Sequence, residues 1–133
     1  MGYRSDVKIV VIASSKEAMD DLLAVYAMLP EVQEAGGFEE LGWERYELGE
    51  GRVLTYEADD VKWYDSCDDV IAVMRLLEDV NIFNQERSED VYAARFVRIG
   101  EQYDDVEVEH YGDRWEYDMH DILPIYRNAE FNL

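Results

Sequence analysis

At 133 residues the chain has the length of one ordinary domain, and 48% hydrophobic with 13% aromatic residues is too apolar a composition for a disordered chain. Thirty-two Asp and Glu against twelve Lys and Arg leave a formal charge of −20, so there is no cationic footprint for direct binding of nucleic acid or an anionic lipid surface. The single cysteine, Cys67, excludes an intramolecular disulfide and a thiolate metal cage.

Only Pro30 and Pro124 interrupt the chain, and no linker, repeat or low-complexity tract divides it, which predicts one domain over residues 1–133. Val7-Lys8-Ile9-Val10-Val11-Ile12-Ala13 is short, β-branched and apolar on both faces, the composition of a buried central strand. Ser14 and Glu17 have S-x-x-E spacing for a helix start, with Ser15 competing for the cap. Ala18, Leu22, Val25, Tyr26 and Leu29 then recur at helical spacing, Pro30 marks a break or boundary, and Gly36-Gly37 closes the helical region.

A strand-rich middle is expected next. Trp43, Tyr46 and Leu48 lead into the turn Gly49-Glu50-Gly51, and Val53 to Glu57 runs back as a hairpin. Asp59-Asp60 reads as a second turn into Val61-Lys62-Trp63-Tyr64, where one ring is expected to pack beneath a helix and the other to point outward. Ser66 and Asp69 repeat the helix-start spacing ahead of Val70, Val73, Met74, Leu77 and Val80 on one stripe. Val91 to Ile99 and Val106 to Tyr111 read as strands, with Trp115 to Met119 a possible further edge strand. The order predicts an α+β fold: an antiparallel or mixed sheet with two helices on one face, a ferredoxin-like or split-βαβ plan with added strands.

Charge is densest over residues 101–121, where nine acids face a single Arg. Strand alternation puts Glu107, Glu109 and Tyr111 on one face and Val106, Val108 and His110 on the other, so the acids are expected to form an exposed row with aromatic neighbours. Such a row either deters edge-to-edge aggregation or offers a surface to a basic partner. The partner-binding candidates are Tyr103, Asp104, Asp105, Glu107, Glu109, Tyr111, Asp113, Trp115, Glu116 and Asp118.

Chemistry of other kinds has little footing. Adjacent carboxylates such as Asp20-Asp21 and Asp68-Asp69 splay apart, and no segment has the spacing of a twelve-residue calcium loop. His110 and His120 lack ligand spacing, and Cys67, beside Asp65, Asp68 and Asp69, lacks the electropositive surroundings of a reactive thiol. There is no G-x-S-x-G, phosphate-cradling Gly-rich loop or H-E-x-x-H. No catalytic residue, metal site or cofactor is therefore expected.

Met1-Gly2-Tyr3-Arg4-Ser5-Asp6-Val7, Val61-Lys62-Trp63-Tyr64-Asp65-Ser66 and Arg98-Ile99-Gly100-Glu101-Gln102-Tyr103-Asp104-Asp105-Val106-Glu107 together resemble a group of small acidic proteins of bacteriophages and prophages, largely without assigned activity. The resemblance spans most of the chain up to Gly112. It implies a phage setting and carries over no catalytic residue. The expectation is a non-enzymatic phage inhibitor that binds a basic surface of a host defence or nucleic-acid-handling protein, as a possible DNA mimic in the manner of anti-CRISPR proteins. The rival expectation is a phage accessory or assembly module whose acidity serves solubility, with self-association possible. No apolar run reaches 18 residues and the start lacks a secretion-signal layout, so the expected place is the host bacterial cytoplasm, away from membranes.

Overall fold

The computed structural model describes residues 3–64, 66–87, 91–102 and 104–111. Its first strand, β1 (Ser5–Ala13), is the apolar run anticipated as central, and it sits in the middle of a five-stranded sheet. Three helices follow, α1 (Lys16–Ala27), α2 (Pro30–Glu34) and α3 (Phe38–Leu41), then the hairpin β2 (Glu44–Leu48) and β3 (Gly51–Val61). The long helix α4 (Asp68–Arg87) leads to the closing hairpin β4 (Tyr92–Gly100) and β5 (Val106–Tyr111). The sheet order is β2-β3-β1-β4-β5 with every neighbouring pair antiparallel. This is the anticipated split-βαβ plan with β5 added at one edge, and of the two sheet types allowed, the antiparallel one.

Alternation along β1 separates the two sheet faces. Val7, Ile9, Val11 and Ala13 join Leu22 and Tyr26 of α1, Val32 of α2, and Leu76, Leu77 and Val80 of α4 in the main core. Val10 and Ile12 face the other way and cluster with Val53 and Val97, where only strand residues are gathered among those described. Three buried hydrogen-bond centres lock the helix side. Tyr26 Oη donates to the Ala72 carbonyl at 2.6 Å and accepts from Trp43 Nε1 at 3.2 Å. Tyr92 Oη donates to the Ala18 carbonyl at 2.7 Å, tying β4 to α1. Asn84 Oδ1 accepts from the amides of Val91 and Tyr92 while its Nδ2 donates to the Tyr92 carbonyl, which fixes the return from α4 into β4.

Several local expectations are corrected. Ser15, not Ser14, caps α1: its Oγ accepts from the Ala18 amide at 3.1 Å, the contact an N-cap side chain makes with the third helical residue. Val25 is exposed, and Met19 and Leu23 take the inner face instead. The segment after Gly37 begins with the short helix α3 rather than a strand, and Gly42 ends it at φ 114°, a left-handed position that glycine accepts without strain. Asp59-Asp60 is not a turn: β3 runs on to Val61 and takes up one extra residue opposite Ser5–Val7 as a bulge. Asp60 sits there at φ 55°, tolerable for Asp, with its amide donating to Asp6 Oδ1 at 2.8 Å and its carbonyl accepting from Arg4 at 3.0 Å. The α4 helix starts at Asp68, where the Cys67 carbonyl accepts from the Ile71 amide, so Ser66 lies in the preceding turn. The possible strand over 115–119 lies outside the described residues. No helix among the described residues is long and apolar enough to cross a membrane.

Candidate functional site: an acidic and aromatic cleft beside the last strand

The β4–β5 register decides which way the acidic row points. Glu107 pairs with Arg98 and Glu109 with Phe96, and Phe96 pairs with Ile9 of the main core. Glu107 and Glu109 therefore project on the helix side of the sheet. Val106 and Val108 project on the opposite side and are 37% and 40% exposed, leaving apolar surface where a charged face would be soluble. The expected row of acids forms one wall of a cleft, with β5 at the edge of the sheet among the described residues and Met74 of α4 across from it.

The cleft has a volume of about 510 Å³. Phe96, at 2% exposure, forms its floor. Trp63 and Tyr64, from the segment between β3 and α4, and Met74 of α4 form the apolar wall. Trp63 continues a line of rings across the sheet, 6.3 Å from Phe96 and 5.8 Å from Tyr56, while Tyr64 is more than a third exposed. The division expected between those two rings, one packed and one outward, is what the structure has. Asp105, Glu107 and Glu109 supply the acidic wall, with Tyr3 at the rim.

Arg98 organises the acidic wall. Its Nη2 and Nη1 donate to the two oxygens of Asp105 at 2.8 and 3.2 Å, its Nε to Glu107 at 3.0 Å, and Nη1 also to Ser5 Oγ at 3.1 Å. A guanidinium is suited to this because its donors form a rigid fork. Tyr3 Oη donates to the same Asp105 carboxylate at 2.6 Å and accepts from the Gln102 amide at 3.1 Å, so the start of the chain clamps the β4–β5 turn. Arg98, hydrogen-bonded first by Asp105, is held in its charged form well beyond the ordinary arginine range. The Arg98 bonds, followed by that from Tyr3, lower the Asp105 carboxyl below the usual carboxylate value. The Tyr3 hydroxyl is in turn raised by its bond to Asp105. Among the described residues the cleft is lined by three carboxylates and one guanidinium, that of Arg98.

Of the residues singled out from the sequence, Asp105, Glu107 and Glu109 come together here. Asp105 serves mainly as the anchor of Arg98, an inward structural role rather than a free contact. Asp104 is exposed on the β4–β5 turn, its carbonyl accepting from the Val106 amide, and does not line the cleft. Tyr111 closes β5 opposite Ala94. Tyr103, Asp113, Trp115, Glu116 and Asp118 lie outside the described residues. Tyr3, Met74, Phe96 and Arg98 were not anticipated. The pairing of Arg98 with Glu107 was open to deduction, since the two stand at matching places on either side of the turn after Gly100.

Acidity is not confined to this cleft. Glu31 and Glu34 of α2 meet Asp68 and Asp69 of α4 around a separate depression, and further carboxylates are exposed on α1 and α3. No group of three or more metal-ligating side chains with the geometry to hold an ion occurs among the described residues. Among the described residues that line the cleft, Arg98 is the cation beside the carboxylates. His110 is exposed on the other face of β5, its pKa lowered by partial burial and by Arg95. Comparison of the chain with protein-family models, with characterised proteins and with solved structures gives no match.

Proposed function

We propose that this chain is a non-enzymatic binding protein that takes a basic surface of a partner protein into the cleft between β5 and Trp63. The carrying observation is that carboxylates and aromatic rings line one cavity. Carboxylates alone steer an encounter but contribute little lasting affinity, whereas rings and an apolar floor supply desolvated contact that slows dissociation. Because acids also lie on other faces, support for a basic partner comes from the cleft more than from an overall likeness to the charge of a DNA duplex. The resemblance to small phage proteins extends the proposal: the chain acts in a phage-infected bacterium as an inhibitor of a host defence or nucleic-acid-handling protein. A second reading, an accessory or assembly module, draws on the exposed Val106 and Val108 on the reverse side of β5.

The test is dissociation kinetics on a partner captured from bacterial lysate and purified. Asp104→Asn with Glu107→Gln and Glu109→Gln removes three charges at or beside the cleft. Glu17→Gln with Asp21→Asn and Glu34→Gln removes three from the helices. The first set should speed dissociation at least tenfold, and the second should only slow association, in a salt-dependent way. Equal dissociation rates for the two sets would overturn the proposal and favour the assembly module.

A further inference from the structure

We infer that β2, at the opposite edge of the sheet from the cleft, is a strand-addition site: it pairs main chain to main chain with an extended, lysine-bearing segment of another protein. Among the described residues β2 is the outermost strand on its side and is paired with β3 along one edge only. Leu48 and Gly51 flank a two-residue turn and exchange both main-chain bonds, so alternation commits Tyr46 and Glu44 to β3 as well. The N–H and C=O groups of Arg45 and Glu47 consequently point away from the sheet, which is the ladder an incoming strand needs. Nothing within β2 blocks that ladder. It holds no proline, and its pairing with β3 has no bulge.

Charge selects the occupant. Residues 39–50 contain five glutamates, all exposed, and one arginine, Arg45, which is bonded to Asp20 at 2.7 Å. Glu44 accepts from the Tyr46 hydroxyl, a neutral donor that leaves its charge in place. The Glu47 side chain is 83% exposed, with Arg52 4.0 Å away and hydrogen-bonded to carbonyls of the turn. A second copy would bring two chains of charge −20 together along these glutamates, which opposes self-pairing. A strand that sets lysines opposite Glu44 and Glu47 is drawn in instead. Tyr46, 49% exposed on the side of the sheet away from the helices, adds a ring for a β-branched residue opposite it.

The experiment uses the end-blocked peptide Thr-Lys-Val-Thr-Lys-Thr, whose antiparallel register sets its lysines opposite Glu47 and Glu44 and its valine opposite Tyr46. Three relatives accompany it. One has both lysines replaced by glutamate. Another is N-methylated at the first lysine and the middle threonine, the two amides that face β2, and the last at the valine and the second lysine, the two that face away. Each is titrated into the nitrogen-15-labelled full chain at physiological salt and followed at the Arg45 and Glu47 main-chain amides. The parent and the outward-methylated peptide should give saturable shifts there, alike within threefold and at least tenfold tighter than the glutamate and inward-methylated peptides. Glu47→Lys should weaken the parent at least threefold, with circular dichroism to identify a variant that unfolds; the peptide comparison on the unaltered chain stands independently of it. No saturable shift, an inward-methylated or glutamate peptide as tight as the parent, or shifts centred outside β2 would overturn the inference. So would protection of the Arg45 and Glu47 amides that rises with protein concentration in the absence of peptide, since the occupant would then be a second copy. None of these measurements involves the cleft, so they succeed or fail independently of the function proposed for it.

Discussion

Replacing Tyr26 with Phe tests whether the junction of α1, α4 and the segment before β2 is held by one hydroxyl. Tyr26 is fully buried, as is nearly all of Trp43, and no water reaches either polar atom. The substitution removes the bond to the Ala72 carbonyl, which lies within α4 and keeps its helical environment, at a cost of about 1 kcal/mol. It also strands the Trp43 indole N–H in the core, and an unpaired buried donor costs about 1–3 kcal/mol. The sum, about 2–4 kcal/mol, is a large part of the roughly 5–15 kcal/mol that stabilises a domain. With a urea dependence of about 2 kcal/mol per molar, the middle of the usual range, the unfolding midpoint should fall by about 1–2 M at unchanged slope. Urea titration followed by circular dichroism measures it. In a Trp43→Phe background the stranded donor is gone, so Tyr26→Phe should cost at least about 1 kcal/mol less there. A loss below about 0.5 kcal/mol, or additivity of the two changes, would refute the account.

Three further outcomes are expected. Asp79 is buried on α4 with Arg75 Nε 3.8 Å away and Glu31 and Glu78 adding negative field; burial raises its carboxyl above the ordinary value. A raised folded value means the cost of ionisation is absent at strongly acid pH and complete above the folded pKa, so Asp79→Asn should stabilise near neutrality and lose that advantage on acidification, as thermal unfolding against pH will show. For Asp105, held below the ordinary range by Arg98 and Tyr3, the sign is opposite: its stabilisation is present above the unfolded carboxylate value and lost as pH falls through the folded one. The stability curves of the unaltered chain and Asp105→Asn should therefore separate above the ordinary carboxylate value and converge as pH falls through the lower folded one, and parallel curves would contradict this. Finally, a Cβ at Gly100 would stand 2.1 Å from Asp105 Oδ2 and 2.3 Å from Tyr3 Oη, so Gly100→Ala should push Asp105 off Arg98, and Tyr3 off Asp105, without unfolding the sheet. Accelerated exchange of the Arg98 Nη–H protons in NMR checks it, and exchange as slow as in the unaltered chain would contradict it.

Much of the fold was legible because its signals are local and strong. An apolar run such as Val7–Ala13 has no stable place except a sheet interior, and the turn after Leu48 puts Gly49 at φ 58°, the positive value a two-residue hairpin loop requires. What was misread depended on partners distant in sequence. Asp59-Asp60 has the composition of a turn, yet pairing with β1 carries the strand through it as a bulge, secured by Asp6 and Arg4 some fifty positions away. The same holds at the site: alternation correctly placed Glu107 and Glu109 on one face, but only the order of strands decides that this face looks toward the helices. Tyr3 reaches Asp105 across 102 positions, a closure that no periodicity announces.

The place of β1 also governs how the protein comes into being on the ribosome. Ile9 lies in the first strand of this sheet to be made, yet its neighbours in the sheet are Tyr56 and Phe96. At a synthesis rate of about 5–20 residues per second, the second of these arrives roughly 4–17 s after the first strand is complete. Throughout that interval the apolar β1 has at most one edge covered, and the Tyr3 clamp on the cleft cannot close until Asp105 has emerged. The cleft therefore takes shape only after β5 has been made, long after the strand at the centre of the sheet.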